Sequence, residues 1–187
     1  MDPLRAVLTV EIIALFALRL AFERRGAAAR RYEAPAWVAG MSLVAVVQVA
    51  ALTLAALAPE RIAFAALELP LILRWGGVAL GAGALGLLSW THRTLGRHYS
   101  SVLHLAADHE LITSGPYAQV RHPMYTALFA LFLAFGLASA NLLVAGSCLG
   151  GLALVVFRRL PAEERLLRER FGARYLDWEA RTARFIP

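Results

Sequence analysis

The stretch Ser114–Tyr125 (SGPYAQVRHPMY) places a guanidinium, an imidazole and two phenol rings immediately before a long apolar run. Pro123 suits the first position of a helix and disfavours helical geometry at the residue before it, so we expect a helix to begin there. The free N–H groups and positive dipole of that helix start, with Arg121 beside them, would form an anion site. Tyr117 and Tyr125 offer ring faces that attract a cation. A pocket holding both charges would suit a zwitterionic ligand.

A second polar stretch, Arg158–Pro187, follows the last apolar run. In it Pro161 precedes Glu163 and Glu164, which is an ordinary helix start because the first turn of a helix favours negative charge. Glu164 and Arg168 have i, i+4 spacing, which predicts an ion pair on a solvated helix face. The loop Thr91–Pro123, which includes most of the first stretch, and this tail hold the chemically capable side chains, so we expect one site to be built from both.

The same residues also fit simpler roles. Arg121 could be a membrane anchor, with the tyrosines in an interfacial aromatic belt. Four histidines lie between positions 98 and 122, but no pair has the i, i+4 spacing of two ligands on one helix face and carboxylates are sparse around them, so we predict no metal site. Cys148 is the only cysteine, which excludes a disulfide framework and a cysteine-based metal site.

The composition is that of an integral membrane protein. The 187 residues are 59% hydrophobic and 17% charged, with a mean hydropathy of +0.60. The net charge of +6 comes from arginine alone, and the arginines cluster just outside apolar runs. This placement indicates membrane orientation rather than nucleic-acid binding. We find no linker or repeat, so a single domain is expected, with membrane helices in residues 1–90 and the chemically capable part in 91–187.

Apolar runs long enough to cross a bilayer occupy residues 3–22, 36–58 and 71–90. A fourth run, Met124–Phe157, is too long for one crossing and slightly short for two, so a tight helical hairpin is expected to turn at Ala138–Asn141. The predicted fold is therefore all-α: a multi-pass membrane bundle of five transmembrane helices that ends in a helical hairpin, with a polar loop and a polar tail on the cytosolic side.

Arginine placement gives the orientation. Fifteen of the 19 arginines follow helices one, three and five, so those segments are expected to face the cytoplasm. A cleaved signal peptide is disfavoured, because Glu11 lies in the apolar core of the first run and Glu23 and Arg24 interrupt the path to a cleavage site. Glu11 itself predicts either a hydrogen bond inside the bundle or a place near a substrate, and the sequence leaves both open.

Glycines recur at a spacing that favours helix packing. Gly77 and Gly81 fall on helix three, and Gly146 and Gly150 fall on helix five. In lipid, such pairs let two helix backbones approach closely, so we expect both pairs to lie at helix interfaces.

Three separated motifs resemble those of one enzyme family. They are H-x-L with G-P-Y, then R-H-P-x-Y, then R-x-x-x-E-E with F-G-x-x-Y and a terminal I-P, within Leu95–Tyr125 and Arg158–Pro187. In this order they resemble the isoprenylcysteine carboxyl methyltransferases and the related phospholipid methyltransferases, which are multi-pass membrane enzymes that use S-adenosylmethionine. The resemblance covers about half of the chain, and the first three helices match only as apolar runs.

The resemblance implies a cofactor site and a catalytic pair. The cofactor-binding residues would be His109, Leu111, Gly115, Tyr117, Arg121, His122, Pro123, Tyr125 and Glu163. The methionine carboxylate would lie against Arg121, the sulfonium near a tyrosine ring, and the ribose hydroxyls or amino group on Glu163. Arg159 and Glu164 would lie near the acceptor, where they hold the nucleophile and keep the arginine aligned. The chain departs from the family at Ala127, where glycine is common, and at Trp178, where tyrosine is common.

The function implied is S-adenosylmethionine-dependent methyl transfer to a lipidic acceptor in the membrane, such as the carboxylate of a prenylcysteine-like lipid. Alternatives are N-methylation of a phospholipid or O-methylation of a phenolic or pyrone lipid. Membrane sterol reductases, which bind NADPH, resemble the family in their C-terminal half, and a non-enzymatic scaffold or carrier is a third class. A carboxylate acceptor needs no base, whereas a phenol or amine would need one, for which Glu164 or His122 would serve. The oligomeric state is not indicated.

Overall fold

The computed structural model of the protein describes residues 2–23, 35–96 and 110–186. Six α-helices lie in these ranges: α1 Pro3–Glu23, α2 Pro35–Leu57, α3 Leu71–Leu95, α4 Pro123–Ser139, α5 Leu142–Phe171 and α6 Ala173–Arg181. Two short 3-10 helices cover Pro59–Ala65 and Gly115–Ala118. The part of the chain that is described contains isolated β-bridges but no β-strand, which confirms the all-α prediction.

The helices alternate in direction. Arg5 Nε at the start of α1 donates to the Ala56 carbonyl at the end of α2, over 2.6 Å. Arg74 Nε near the start of α3 donates to the Ala138 carbonyl at the end of α4, over 3.2 Å. The ends of α3 and α5 and the start of α4 meet at the opposite end of the bundle, where the two polar stretches lie. This up-and-down order agrees with the predicted arrangement, while the cytoplasmic orientation of the polar end stays a prediction.

The hairpin between α4 and α5 turns where the sequence predicts. Ala140 adopts a left-handed conformation with φ 48°, and Asn141 caps α5 by accepting hydrogen bonds from the N–H groups of Leu143 and Val144. The Asn141 side-chain amide also donates to the Ile62 carbonyl over 2.8 Å. One side chain therefore closes the hairpin and fastens it to the connection between α2 and α3.

By length and composition, the described helices include fewer candidate membrane spans than the five that the sequence predicts. Within the residues described, α3 and α5 are each long and apolar enough to cross a membrane. A third span results if Ser42–Leu57 of α2 and the Pro59–Ala65 helix, which are bent by 113°, count as one broken crossing. The apolar α4 has only 17 residues. The protein is thus an apolar, membrane-type bundle, and the count of five crossings stays a prediction.

The packing of α3 depends on its glycines. A Cβ at Gly77 would lie 2.8 Å from the Ala138 backbone nitrogen, so the missing side chain lets α3 and α4 meet closely. At Gly81 a Cβ would lie 2.5 Å from a carboxylate oxygen of Glu11, so that glycine makes room for the acid on α1. Glu11 is buried, and neither of its oxygens has a hydrogen-bond partner among the described residues.

Two expectations for α5 are wrong. A Cβ at Gly146 or Gly150 would meet nothing within 4 Å, because α5 presents Gly151 to Val44 and Gln48 of α2 instead. Pro161 does not start a helix, since it lies inside α5. The helix continues through the proline because its buried residues form one uninterrupted i, i+4 row that packs on the bundle. That row consists of Val144, Cys148, Leu152, Val156, Leu160 and Glu164.

Candidate functional site

The C-terminal segment pairs with the chain just before α4. The backbone N–H groups of Arg121 and His122 donate to the carbonyls of Ala183 and Arg184, over 2.8 and 3.1 Å. Val120 and Ala183 form a parallel β-bridge at the same place. The prediction that the two polar stretches meet over the start of α4 is therefore confirmed.

The start of α4 itself follows the sequence prediction. Pro123 is the first helical residue, and His122 before it has the non-helical angles φ −126° and ψ 58°. Thr126 in the first turn donates from its hydroxyl to the Phe185 carbonyl over 2.7 Å. This side-chain bond ties the first turn of α4 to the C-terminal segment.

A cluster of His122, Glu164 and Arg184 lies at this junction, in which His122 and Glu164 are buried and the Arg184 side chain is 47% exposed. His122 Nε2 and Glu164 Oε1 are 3.2 Å apart, and both side chains are at least 95% buried. Arg184 binds both oxygens of the same carboxylate, with Nε to Oε1 at 3.1 Å and Nη2 to Oε2 at 2.8 Å. Such a bidentate contact fixes the plane of the carboxylate as well as its charge.

The surroundings keep Glu164 ionised. This residue lies beyond the apolar part of α5, and the hydrogen bond from His122 and the charge of Arg184 lower its pKa from 4.5 to about 2, although burial opposes the shift. The expectation that Glu164 lies on a solvated helix face is wrong, because Glu164 continues the buried row of α5. Arg168, its predicted i, i+4 partner, is 3.9 Å away and remains 44% exposed.

Glu163 contacts Tyr125, the second tyrosine predicted to bind the cofactor. The Tyr125 hydroxyl donates to Glu163 Oε2 over 3.0 Å. The Tyr125 ring lies 5.8 Å, centroid to centroid, from the His122 ring. Four predicted site residues, His122, Tyr125, Glu163 and Glu164, are thus brought together by α4 and α5.

Arg121 lies in an ion pair that the sequence did not predict. Its Nη1 contacts Glu179 Oε1 on α6, and both side chains are more than four-fifths buried. Arg168 binds the same carboxylate, with Nε to Oε2 at 3.0 Å and Nη2 to Oε1 at 2.7 Å. The hydrogen bond from Arg168, followed by the charges of Arg121 and Arg168, lowers the pKa of Glu179.

A second, small hydrophobic core holds α6 against the loop before α4. Its buried members are Leu111, Tyr117, Tyr175 and Trp178. Trp178 Nε1 donates to the Tyr117 carbonyl over 3.2 Å, so this side chain connects the loop to α6. Leu111 and Tyr117 are therefore buried members of this core, and their contact with a cofactor stays a prediction.

Gly115 lets this loop lie against the end of α3. Its φ is +58°, and a Cβ there would be 2.9 Å from Thr94 Oγ1 and 3.3 Å from Trp90 Nε1. Another residue would be strained by the backbone angle and crowded by α3. Gly115 therefore serves the position of the loop rather than a direct polar contact.

His109 and Arg159 are the remaining predicted site residues. His109 lies outside the described residues. Arg159 is half-buried on α5, and because α5 is continuous, Arg159 and Glu164 project about 140° apart around its axis. The partners that the structure gives Glu164 are His122, Arg184 and Arg168, so the expected alignment of Arg159 by Glu164 stays a prediction.

Comparisons with known proteins point to one family. Residues 72–174, more than half of the chain, match the phospholipid methyltransferase family. The nickel-cobalt-cadmium resistance protein NccN of Alcaligenes xylosoxydans xylosoxydans is 29% identical over 118 residues, which are 61% of this chain and 54% of that protein. Protein-S-isoprenylcysteine O-methyltransferase B of Arabidopsis thaliana is 29% identical over 100 residues, which are 50% of this chain and 49% of that protein.

A solved structure shares the fold. The structure of the eukaryotic intramembrane Ras methyltransferase ICMT matches with a TM-score of 0.57 and 21% sequence identity, over 83% of this chain and 53% of that chain. The chain thus spans about half the length of each of these three relatives.

Proposed function

Because the chain belongs to the phospholipid methyltransferase family, we propose that it transfers a methyl group from S-adenosylmethionine to a lipidic acceptor at the membrane. The observation that carries the proposal is the contact of Arg184 with the buried pair of His122 and Glu164, which forms where the two polar stretches meet at the end of an apolar bundle. We further propose a lipid carboxylate of the prenylcysteine type as the acceptor, on the analogy of the Arabidopsis relative's name.

The cofactor would supply a methyl group on a positively charged sulfur. The residues proposed to hold it remain His109, Leu111, Gly115, Tyr117, Arg121, His122, Pro123, Tyr125 and Glu163. One feature of the structure fits this assignment: within the part that is described, the buried Nε–H of Arg121 has no hydrogen-bond partner. An unmatched cationic donor beside the start of α4 suits the carboxylate of the cofactor.

Glu164 acts as a fixed anion in this proposal. With its pKa near 2, it is too weak a base to remove a proton at neutral pH. By accepting a hydrogen bond from Nε2–H of His122, it leaves Nδ1 of that ring as the basic nitrogen. His122 is therefore the base if the acceptor carries a phenol or an amine. A carboxylate acceptor needs no proton removal, and Glu164 and His122 then serve to orient it.

The remaining task of the protein is to align the acceptor with the methyl group and to exclude water. Arg159 is proposed to hold the acceptor's charge, because it lies on α5 directly after the apolar part of that helix. Apolar acceptors would reach it sideways from the bilayer. This route explains why a small-molecule reaction takes place in a membrane protein.

A binding experiment separates the two enzyme classes. The purified protein in detergent is titrated calorimetrically with S-adenosylhomocysteine and with NADPH. We expect heat only with S-adenosylhomocysteine. Heat only with NADPH would replace the methyltransferase proposal by a reductase, and heat with neither compound would favour a scaffold or carrier.

A transfer experiment identifies the acceptor chemistry. Membranes with the wild-type protein, or with Glu164→Gln or Glu169→Gln, receive a methyl-labelled donor and a lipid extract. Glu169 is a matched control, because it lies on the same helix but is 64% exposed. We expect Glu164→Gln alone to lower labelling, by about a hundredfold. Label that mild base releases as methanol indicates an ester of a carboxylate, whereas base-stable label indicates an amine or ether.

A further inference from the structure

The hydroxyl of Tyr175 is an unexplained polar group in the interior. The Tyr175 side chain on α6 is 0% exposed, and its ring lies edge-on against Trp178 at 5.5 Å. Its hydroxyl has no hydrogen-bond partner within the described part of the chain. Buried hydroxyls are nearly always bonded, because leaving one unpaired destabilises a protein. A phenylalanine would fill the same space without this defect, so the hydroxyl needs a reason.

A second buried donor lies nearby without a partner. It is Nε–H of Arg121, whose Nη1 is occupied by Glu179. Tyr175 and Glu179 are one helical turn apart on the same face of α6, so Tyr175 lies on the face of α6 that Arg121 contacts. The Arg121 charge acts on the Tyr175 hydroxyl and is one of the influences on its ionisation. Arg121 Nε–H and the Tyr175 hydroxyl are thus two buried donors that could bind one acceptor.

Tyr175 stays a donor at any physiological pH. Burial, followed by the negative charges of Glu164 and Glu179, raises the pKa of Tyr175 to about 12. The hydroxyl therefore keeps its proton and can donate to an anion.

Glu179 already presents a carboxylate to this place. It contacts Arg121, but Arg168 holds it independently through two hydrogen bonds. If Glu179 left Arg121, its charge would still be paired. Nε of Arg121 and the Tyr175 hydroxyl are both buried while this contact persists.

We propose that Arg121 and Tyr175 form a carboxylate-binding subsite in which Glu179 is an internal stand-in: an incoming carboxylate replaces Glu179 at Arg121 and accepts hydrogen bonds from Arg121 Nε–H and the Tyr175 hydroxyl. The inference rests on the proposed function, which brings two carboxylates to this region. One is the amino-acid end of the cofactor, and the other is the acceptor lipid.

The test compares ligands that differ by one carboxylate. Calorimetry measures the affinity of S-adenosylhomocysteine and of its decarboxylated form, and the ratio of the two isolates the contribution of the carboxylate. We expect Tyr175→Phe to lower that ratio by about tenfold, as for a hydrogen bond to a charged group. Glu179→Gln should raise the ratio, because a competing carboxylate is removed. Asp177→Asn, an exposed carboxylate change on the same helix, should leave the ratio unchanged.

A second readout needs no ligand. Because Tyr175→Phe removes an unpaired buried hydroxyl, it should raise the melting temperature of the ligand-free protein. The matched control Tyr125→Phe removes a hydroxyl that is bonded to Glu163 and should lower it. Stabilisation combined with weaker carboxylate binding distinguishes a ligand subsite from a structural tyrosine.

The outcomes separate this inference from the proposed function. If the wild type binds S-adenosylhomocysteine and Tyr175→Phe leaves the ratio unchanged, the same comparison is made with a prenylcysteine and its carboxamide. A Tyr175-dependent preference for the acid then assigns the subsite to the acceptor. No preference in either ligand pair overturns the inference while the methyltransferase proposal stands. If the wild type binds neither S-adenosylhomocysteine nor its decarboxylated form, the proposed function is overturned. The comparison of the prenylcysteine with its carboxamide then decides alone whether the subsite exists.

Discussion

Glu164 Oε1 lies 3.2 Å from Nε2 of His122, although the two residues are 42 positions apart in the chain. The contact joins the start of the hairpin's first helix to the polar half of its second helix. Arg184 binds both oxygens of the same carboxylate, with Nε to Oε1 at 3.1 Å and Nη2 to Oε2 at 2.8 Å. The chemistry of the site therefore depends on three segments arriving together, and a change in any one of them should be measurable.

Acid should destabilise the protein partly through Glu164. Its pKa is near 2 in the folded state and 4.5 without these contacts, so its ionised form adds stability above about pH 5 that is lost as the pH falls towards 2. The difference in melting temperature between wild type and Glu164→Gln should shrink from pH 7 to about pH 3. Thermal unfolding in detergent, with Glu169→Gln as control, measures this. An equal difference at both pH values would contradict the assigned ionisation.

Removing the charge of Arg184 should impair the site without unfolding the bundle. Arg184→Met leaves Glu164 without its bidentate partner, and we expect methyl transfer to fall about tenfold because the carboxylate loses its fixed plane. Arg181→Met is the control, since the exposed Arg181 donates to a backbone carbonyl of its own helix. Arg184→Lys should not restore activity, because the lysine ammonium cannot form the bidentate contact with both carboxylate oxygens. Full activity of either Arg184 variant would show that the bidentate contact has no role in methyl transfer.

Adding one methyl group to α3 should test its contact with α4. Gly77→Ala would place a Cβ 2.8 Å from a backbone nitrogen of α4, so the helices must separate, and we expect a loss of about 1–3 kcal/mol. Gly76→Ala meets nothing within 4 Å and should stabilise the helix slightly. Melting temperatures of the two variants should therefore move in opposite directions. A shift in the same direction would argue against this packing.

Two roles of Asn141 can be separated by substitution. Asn141→Ser keeps a side-chain oxygen that can cap α5 but loses the amide that donates to the Ile62 carbonyl, whereas Asn141→Ala loses both. We expect the alanine variant to lose about 1 kcal/mol more than the serine variant, which is the usual value of a cap. Equal losses in denaturant or thermal unfolding would mean that the cap contributes little.

Local signals in the sequence predict the helices and the start of the site well. Pro123 fixes the beginning of α4 through its ring, and the small residues before Asn141 mark the hairpin. Both features act within a few residues, so they can be read without knowing the fold. The polar stretches were also expected to meet, but the sequence alone did not show which of their residues make contact.

Long-range partners escaped prediction. Arg184 and Glu179 gain their roles from residues that are 20 and 58 positions away, Tyr175 gains its role from the packing of α6, and no local pattern marks them. The burial of Glu164 had a signal that was misread: it continues the i, i+4 row of apolar residues on α5, but its spacing to Arg168 favoured a solvated pair. The glycines of α5 were misassigned for a related reason, because the face that meets α2 depends on the neighbouring helix.

Helix α5 continues without a break from the hairpin turn to the acidic pair. Its 30 residues correspond to about 45 Å, but the apolar part, Leu142–Phe157, spans only about 24 Å, which is less than the roughly 30 Å hydrocarbon thickness of a bilayer. A bilayer must thin around so short an apolar segment, and a change in bilayer thickness moves the polar end of the helix, with Glu163 and Glu164, relative to the membrane surface. For the proposed reaction, turnover in vesicles of graded acyl length should therefore pass through a maximum.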